Sequence, residues 1–182
     1  MSKKNLTITF YVSEIMHDIR SKVYQLGKSV KATDKAELAA MLQDTQDEDA
    51  DILLRSMTTA YGSLKNHLSE YMNEADADAD DVMIEEKENT EDDYQTLDLI
   101  LDVPSNFNFA SREAIATNAH DYIVEKAISQ WLEYVNLPQK AGEIDKQAEA
   151  SLAMVTNAVC KRVRPSRTKI DTSSNKNGLK YE

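Results

Sequence analysis

The chain has 182 residues, with 21 Lys and Arg against 32 Asp and Glu, and a net charge of −11. This length favours one domain, and the single Cys160 excludes an internal disulfide and a zinc site built from several cysteines. Four Gly and three Pro argue against a turn-rich all-β fold, and because no apolar run reaches about 18 residues we expect no membrane span.

The lysines near the N-terminus are followed by an apolar stretch that Thr7 and Thr9 interrupt, which argues against a signal peptide. Residues 5–10 alternate in the manner of a short strand. We therefore expect a soluble, intracellular and mainly helical protein that begins with an extended segment.

A first amphipathic helix is predicted from about Tyr11. Its apolar residues recur at steps of three and four and form one stripe, namely Val12, Ile15, Ile19, Val23, Leu26 and Val30. A short second helix is predicted over 35–43, with Thr33 or Asp34 as its cap. A further helix is predicted over 48–73, because acidic residues at 47–49 suit the positive end of its dipole and an apolar stripe runs to Tyr71 and Met72.

An acidic stretch then interrupts the helical pattern. Glu70 to Asp98 contains 13 acidic residues and one basic residue, Lys87. Within it, alternation over 97–103 predicts a strand, and pairing with 81–88 would give a β-hairpin inserted at about 74–104. Because like charges at this density repel, we expect the tip to project into water or to meet a basic partner. The acidic residues singled out as the candidate tip of this insertion are Asp76, Asp78, Asp80, Asp81, Glu85, Glu86, Asp92 and Asp93.

Two long helices are predicted in the C-terminal half. The first covers about 110–136 and starts near Ser111; the second begins with Pro138 and runs to about Val163. Each would be about 40 Å long, and their short joint predicts an antiparallel hairpin. The fold expected is a mainly α helical bundle with this hairpin and the small inserted β-hairpin, residues 1–164 being one domain and 165–182 an extended tail.

The C-terminal segment has the opposite charge to the rest of the chain. Residues 161–182 hold seven basic and two acidic side chains, a charge of +5, whereas residues 1–160 hold 14 basic and 30 acidic ones, a charge of −16. The basic side chains have three interpretations: an arm for phosphates, a cap on the helix dipole, or a contact with the acidic surface of another copy. In the last interpretation, residues 168–171 add as a strand to the edge of 97–103. The candidate subunit contacts are Lys161, Arg162, Arg164, Arg167, Lys169 and Ile170.

The candidate chemical sites are weak. An EF-hand loop starting at Asp76 would need Gly at its sixth position and Glu at its twelfth, where the sequence has Asp81 and Lys87. A solvated acidic loop is the preferred interpretation, with weak Ca²⁺ or Mg²⁺ binding as the alternative.

The histidines, His17, His67 and His120, fall on different predicted helices, and the sequence has no nucleophile elbow, phosphate-binding glycine loop or HExxH motif. We expect no enzymatic activity, no cofactor and no metal. Cys160 is expected to be buried on the inward side of the last helix, and Trp131 to fill the core rather than form a contact patch with Tyr134.

Several short segments carry a resemblance to a known group of proteins. They are Asp51-Ile-Leu-Leu-Arg55, Leu101-Asp-Val-Pro-Ser-Asn-Phe107, Ala119-His120-Asp121-Tyr122-Ile123-Val124 and Lys161-Arg-Val-Arg-Pro165. With the order of the predicted elements over about 10–165, they resemble small virion structural proteins of tailed phages and prophages of the Bacteroides group, including crAss-like phages. The chain is also similar to the helical head–tail connector and ring proteins that assemble below the portal. The acidic insertion at 74–93 departs from that pattern.

The resemblance implies a ring of about twelve copies around the DNA channel, in contact with portal or tail proteins and without an active site. It also implies synthesis in the host cytoplasm and a final place in the neck or tail of the virion. An acidic channel wall would let DNA slide rather than hold it. The alternatives are a helical interaction or regulatory protein that binds nucleic acid through its basic tail, and a protein that binds divalent metal or catalyses hydrolysis.

Overall fold

The computed structural model describes residues 3–31, 47–72 and 95–163, which form two strands and four α-helices. In chain order these are β1 (Lys3–Tyr11), α1 (Val12–Lys31), α2 (Asp47–His67), β2 (Thr96–Pro104), α3 (Arg112–Tyr134) and α4 (Pro138–Val159). Single 3₁₀ turns follow α2 at Ser69–Tyr71 and precede α3 at Phe109–Ser111. The prediction of a mainly helical fold with a small antiparallel sheet is confirmed. None of the helices in these three ranges is long and apolar enough to cross a membrane.

The two strands pair with each other in antiparallel register, from Lys3 opposite Pro104 to Tyr11 opposite Thr96. Because side chains alternate between the two faces of a strand, one face of this ribbon is apolar throughout. Its buried residues are Leu6, Ile8 and Phe10 from β1 and Leu97, Leu99, Leu101 and Val103 from β2. Both strands were predicted, but their pairing was not. The segment predicted to pair with β2, 81–88, lies outside the described residues, as does the predicted helix 35–43.

The apolar stripes predicted for the helices form the core. Ile15, Ile19 and Val23 of α1 have no exposed surface, and the same holds for Leu53, Met57 and Leu64 of α2. The helix α3 packs against α1, α2 and α4 and is therefore buried on more than one face. Trp131 is 1% exposed and lies in the core, as predicted, whereas the neighbouring Tyr134 is 73% exposed.

Helix α4 contacts the rest of the protein mainly through α3. Three polar contacts join the two helices: Ser129 Oγ donates to the carbonyl of Ala141, Lys126 pairs with Asp145, and Ser151 Oγ donates to Glu125. Pro138 occupies the first turn of α4, as predicted. The helix ends at Val159 rather than near Val163, so residues 161–163 are free to bond to the loop after β2.

Candidate functional site

The three residues after Cys160 lie against the loop that follows β2. The backbone N–H of Val163 donates to the carbonyl of Asn106 at 2.8 Å, and that of Asn108 donates to the carbonyl of Lys161 at 3.2 Å. Arg162 and Phe107 form an isolated antiparallel bridge between these contacts. The prediction that the helix continues to about Val163 is wrong because the backbone here bonds to a distant loop instead of to the preceding turn.

Phe107 anchors this arrangement. It is 1% exposed, although it stands between Asn106 and Asn108 in the loop that follows β2. In the sequence, the one signal for the burial of Phe107 was that it is a large apolar side chain among polar neighbours.

The guanidinium of Arg162 donates hydrogen bonds to backbone carbonyls at the end of α4 and just after it. Its Nη1 atom donates to the carbonyl of Val159 at 2.8 Å and to that of Lys161 at 3.2 Å. Cationic groups near the last carbonyls of a helix stabilise its negative end, so this contact supports the capping interpretation for Arg162. Of the six predicted subunit contacts, the described residues include only Lys161 and Arg162. Arg164, Arg167, Lys169 and Ile170 lie outside them, as do all eight predicted residues of the acidic insertion.

We call residues 161–182 the C-terminal extension, and a basic and apolar surface surrounds its start. We call Lys4, Phe109, Lys161 and Val163 the root surface. Phe109 is 47% exposed and Val163 is 56% exposed, and Lys4 Nζ lies 5.5 Å from the centroid of the Phe109 ring. Phe109 also packs edge-on against Phe107, with ring centroids 5.4 Å apart. Two cations beside exposed apolar groups suit a partner that offers a carboxylate next to an aromatic side chain. Sequence reasoning missed Lys4 and Phe109, which are far apart in the chain.

Cys160 lies beside this surface and is exposed, which corrects the prediction that it is buried. It closes α4, so its side chain leaves the inward face at the point where the chain turns toward the β2 loop. Its Sγ atom is 3.2 Å from the phenol of Tyr71. This hydrogen bond is the main cause that raises the pKa of Tyr71, and burial of the phenol adds to it.

A separate cleft of about 450 Å³ lies between α1 and α3 and is lined by Ser13, Glu14, His17, Asp18 and His120. His120 Nε2 lies 3.6 Å from Asp18 Oδ2, so the fold brings together two histidine-containing segments that seemed unrelated in sequence. No group of three or more His, Cys, Asp or Glu in the described ranges is arranged to hold a metal ion. The third histidine, His67, lies in the last turn of α2.

Comparison of the chain with models of protein families, with curated proteins and with solved structures finds no match. What the protein does must therefore be inferred from its own side chains. The root surface is the place where predicted functional residues, exposed apolar groups and positive charge coincide.

Proposed function

We propose that this chain is a structural subunit of a tailed-phage virion that assembles with copies of itself into a closed ring of about twelve subunits. The ring would act as a head–tail connector between portal and tail and would enclose the DNA channel. In this proposal the basic C-terminal extension contacts the acidic surface of the adjacent subunit.

The observation that carries the proposal is the opposite charge of residues 1–160 and residues 161–182, which join where the backbone bonds to the β2 loop. Residues 161–182 carry +5 and residues 1–160 carry −16. The backbone bonds of Lys161 and Val163 to the β2 loop fix the point at which the extension begins. Every copy would then present the extension from the same place, which favours one repeated contact between unlike surfaces.

The proposal also includes the predicted helical bundle with a long antiparallel hairpin made of α3 and α4. The order of the polar contacts supports it, since Ser129 bonds near the start of α4 at Ala141 whereas the earlier Glu125 bonds to the later Ser151. Such a hairpin would serve as a stiff arm on which contact surfaces are held at a fixed separation.

One observation favours a second function, the binding of nucleic acid. Lys4 lies beside the exposed ring of Phe109, and the exposed Lys161 bonds through its carbonyl to the neighbouring Asn108. Cations can contact phosphates, and an exposed aromatic ring can stack on a base. Against this stands the strong negative charge of residues 1–160, which repels a polyanion beyond the reach of the root surface.

The test compares the mass of the full chain with that of a chain ending at Arg164, by light scattering over a range of concentrations. We expect the full chain to form a discrete large oligomer and the shortened chain to lose it. A chain ending at Asp171, which keeps Arg167, Lys169 and Ile170, is the matched control and should still assemble. Equal masses for the full chain and the chain ending at Arg164 would show that the extension has no part in assembly.

The same samples are then titrated with a fluorescent DNA duplex at rising salt. Binding that weakens steeply with salt and disappears with the extension, without any oligomer, would favour the second function. Electron microscopy of assembled particles would place the ring directly.

A further inference from the structure

A second exposed aromatic site lies at the other end of α4. Tyr134 closes α3 and is 73% exposed, the largest exposure among the large apolar side chains of the described residues. Glu133 beside it is exposed as well, and so are Pro138 and Gln139 at the start of α4. We call Glu133, Tyr134 and Pro138 the turn surface.

The turn surface and the root surface lie at opposite ends of one helix. Since α4 has 22 residues, about 33 Å separates its first turn from Val159, where the root begins. Within one copy the two surfaces therefore cannot meet. Lys126 and Asp145, together with the other polar contacts between α3 and α4, hold the separation constant.

The two surfaces are complementary in chemistry. The turn surface offers a phenol next to a carboxylate, whereas the root surface offers Phe109 next to Lys4, and an exposed Val163 two residues after the exposed Lys161. A tyrosine side chain supplies a large contact area with few rotatable bonds, and aromatic anchors of this kind dominate many interfaces. A carboxylate beside the anchor would be drawn to Lys4 or Lys161 and would set the orientation of the contact.

We propose that the turn surface of one copy docks on the root surface of the next copy. This inference rests on the proposed function, since it names the contact between trunks that builds the ring. Because the surfaces differ, each added copy leaves one free turn surface and one free root surface, and the assembly grows until it closes. The C-terminal extension would reinforce this contact, since it starts at the root surface.

The experiment uses two variants of the full chain, Tyr134→Ser and Phe109→Ser. Tyr134 is strongly exposed and Phe109 is about half exposed, so neither is a core side chain and we expect the fold to persist. Circular dichroism and the melting temperature would verify this, above all for Phe109→Ser, which removes a ring contact with Phe107. Tyr24→Ser is the matched control, since Tyr24 is also exposed, at 44%, but lies on α1. We expect each of the first two variants to associate about tenfold or more weakly than the unchanged chain, and the control to associate normally.

Mixing the two variants gives the decisive readout. The Tyr134→Ser chain keeps its root surface and the Phe109→Ser chain keeps its turn surface, so an equal mixture should form a two-subunit complex and nothing larger. A mixture that stays monomeric, or variants that assemble as the unchanged chain does, would overturn the inference while leaving the proposed function in place.

A cross-linking experiment gives a readout that does not require stable assembly. The variant Gln139→Cys places a thiol at the turn, and the native Cys160 is exposed beside the root surface. Mild oxidation with glutathione disulfide should produce a ladder of linked chains, and mass spectrometry of the linked peptides should identify disulfides between residue 139 of one chain and Cys160 of another. The same variant with Cys160→Ser should stop at dimers.

Three results would separate the possible failures. Disulfides between residue 139 and Cys160 with no stable oligomer would support the docking contact and count against the proposed ring. A stable oligomer without such disulfides would support the proposed ring and overturn the docking contact. Loss of DNA binding in Lys4→Glu and Lys161→Glu, with no effect of Tyr134→Ser on mass or cross-linking, would assign the root surface to nucleic acid and overturn the inference.

Discussion

The phenol of Tyr71 and the thiol of Cys160 are hydrogen bonded at 3.2 Å, which joins the 3₁₀ turn after α2 to the end of α4. In the sequence, the acidic stretch continues immediately after this turn and the basic extension starts immediately after Cys160. The two segments of opposite charge are therefore attached to the fold at neighbouring points.

The Tyr71–Cys160 bond leads to a first prediction about ionisation. Replacing Cys160 by Ala should lower the pKa of Tyr71 toward its ordinary value, because the hydrogen bond to Cys160 is the main cause that raises it. A spectrophotometric titration of tyrosine ionisation would measure the change, and Tyr71→Phe would identify which part of the curve belongs to Tyr71. Identical curves for the unchanged chain and Cys160→Ala would contradict the bond.

The alternation of the sheet leads to a second prediction. Leu99 has no exposed surface and pairs with Ile8, whereas the next residue, Ile100, is half-buried and pairs with Thr7. Leu99→Ala should lower the free energy of unfolding by about 2–5 kcal/mol, since it removes buried methyl groups and leaves a cavity. Ile100→Ala, the matched control, should lower it by about 1 kcal/mol or less. Urea unfolding of both variants checks this, and similar losses at the two positions would show that the two faces of β2 are assigned wrongly.

The contrast between Leu99 and its partners also shows what sequence patterns can and cannot predict. The period of two in β2 and of 3.6 in α1 comes from neighbouring residues, so the faces of Leu99 and Ile19 could be predicted. The pairing of Ile8 with Leu99 joins residues that are distant in the chain, and local periodicity carries no information about which strand is the partner. The same reason explains why the pairing of His120 with Asp18 was missed.

The candidate site was less predictable than the fold. The sign of the charge on Lys161 and Arg162 was evident from the sequence. Whether the helix reaches Val163 was not, because the outcome depends on bonds to Asn106 and Asn108 in a loop more than 50 residues away. Helix propensity cannot predict such a competition between local and distant hydrogen-bond partners.

A buried phenol leads to a third prediction, for alkaline pH. Burial, followed by the charge of Asp98, raises the pKa of Tyr61 to about 12, and its hydroxyl donates to the carbonyl of Asp98 at 2.7 Å. In the unfolded chain the phenol has its ordinary pKa of 10.0. The neutral phenol of Tyr61 therefore contributes fully to the free energy of unfolding below about pH 10. This contribution, about 3 kcal/mol at most, is lost as the pH rises toward 12.

The variant Tyr61→Phe isolates this effect. It should cost about 1 kcal/mol at neutral pH, where the hydrogen bond is lost, and should lose less stability than the unchanged chain between about pH 10 and 12. Comparison between the two chains is needed because Lys126 also loses its charge at high pH, its pKa being raised mainly by the hydrogen bond to Asp145. Parallel stability curves for the two chains over this range would contradict the prediction.

The turn between α3 and α4 leads to a fourth prediction. Asn136 has a φ of 66°, in the left-handed region, and its N–H donates to the carbonyl of Glu133 while that of Leu137 donates to the carbonyl of Leu132. These two bonds close the end of α3, and among non-glycine residues Asn is one of the few that adopt this conformation at low cost. Asn136→Gly should therefore change the free energy of unfolding by no more than about 1 kcal/mol.

Asn136→Val places a β-branched side chain in the same conformation and should lower the free energy of unfolding by about 1–2 kcal/mol, measured by urea unfolding. Because the turn holds Tyr134 in position, the same variant should also weaken association, whereas Asn136→Gly should keep it. A loss of association in both variants would mean that the asparagine side chain itself takes part in the contact. Unchanged stability of Asn136→Val would show that the turn does not require a left-handed residue at this position.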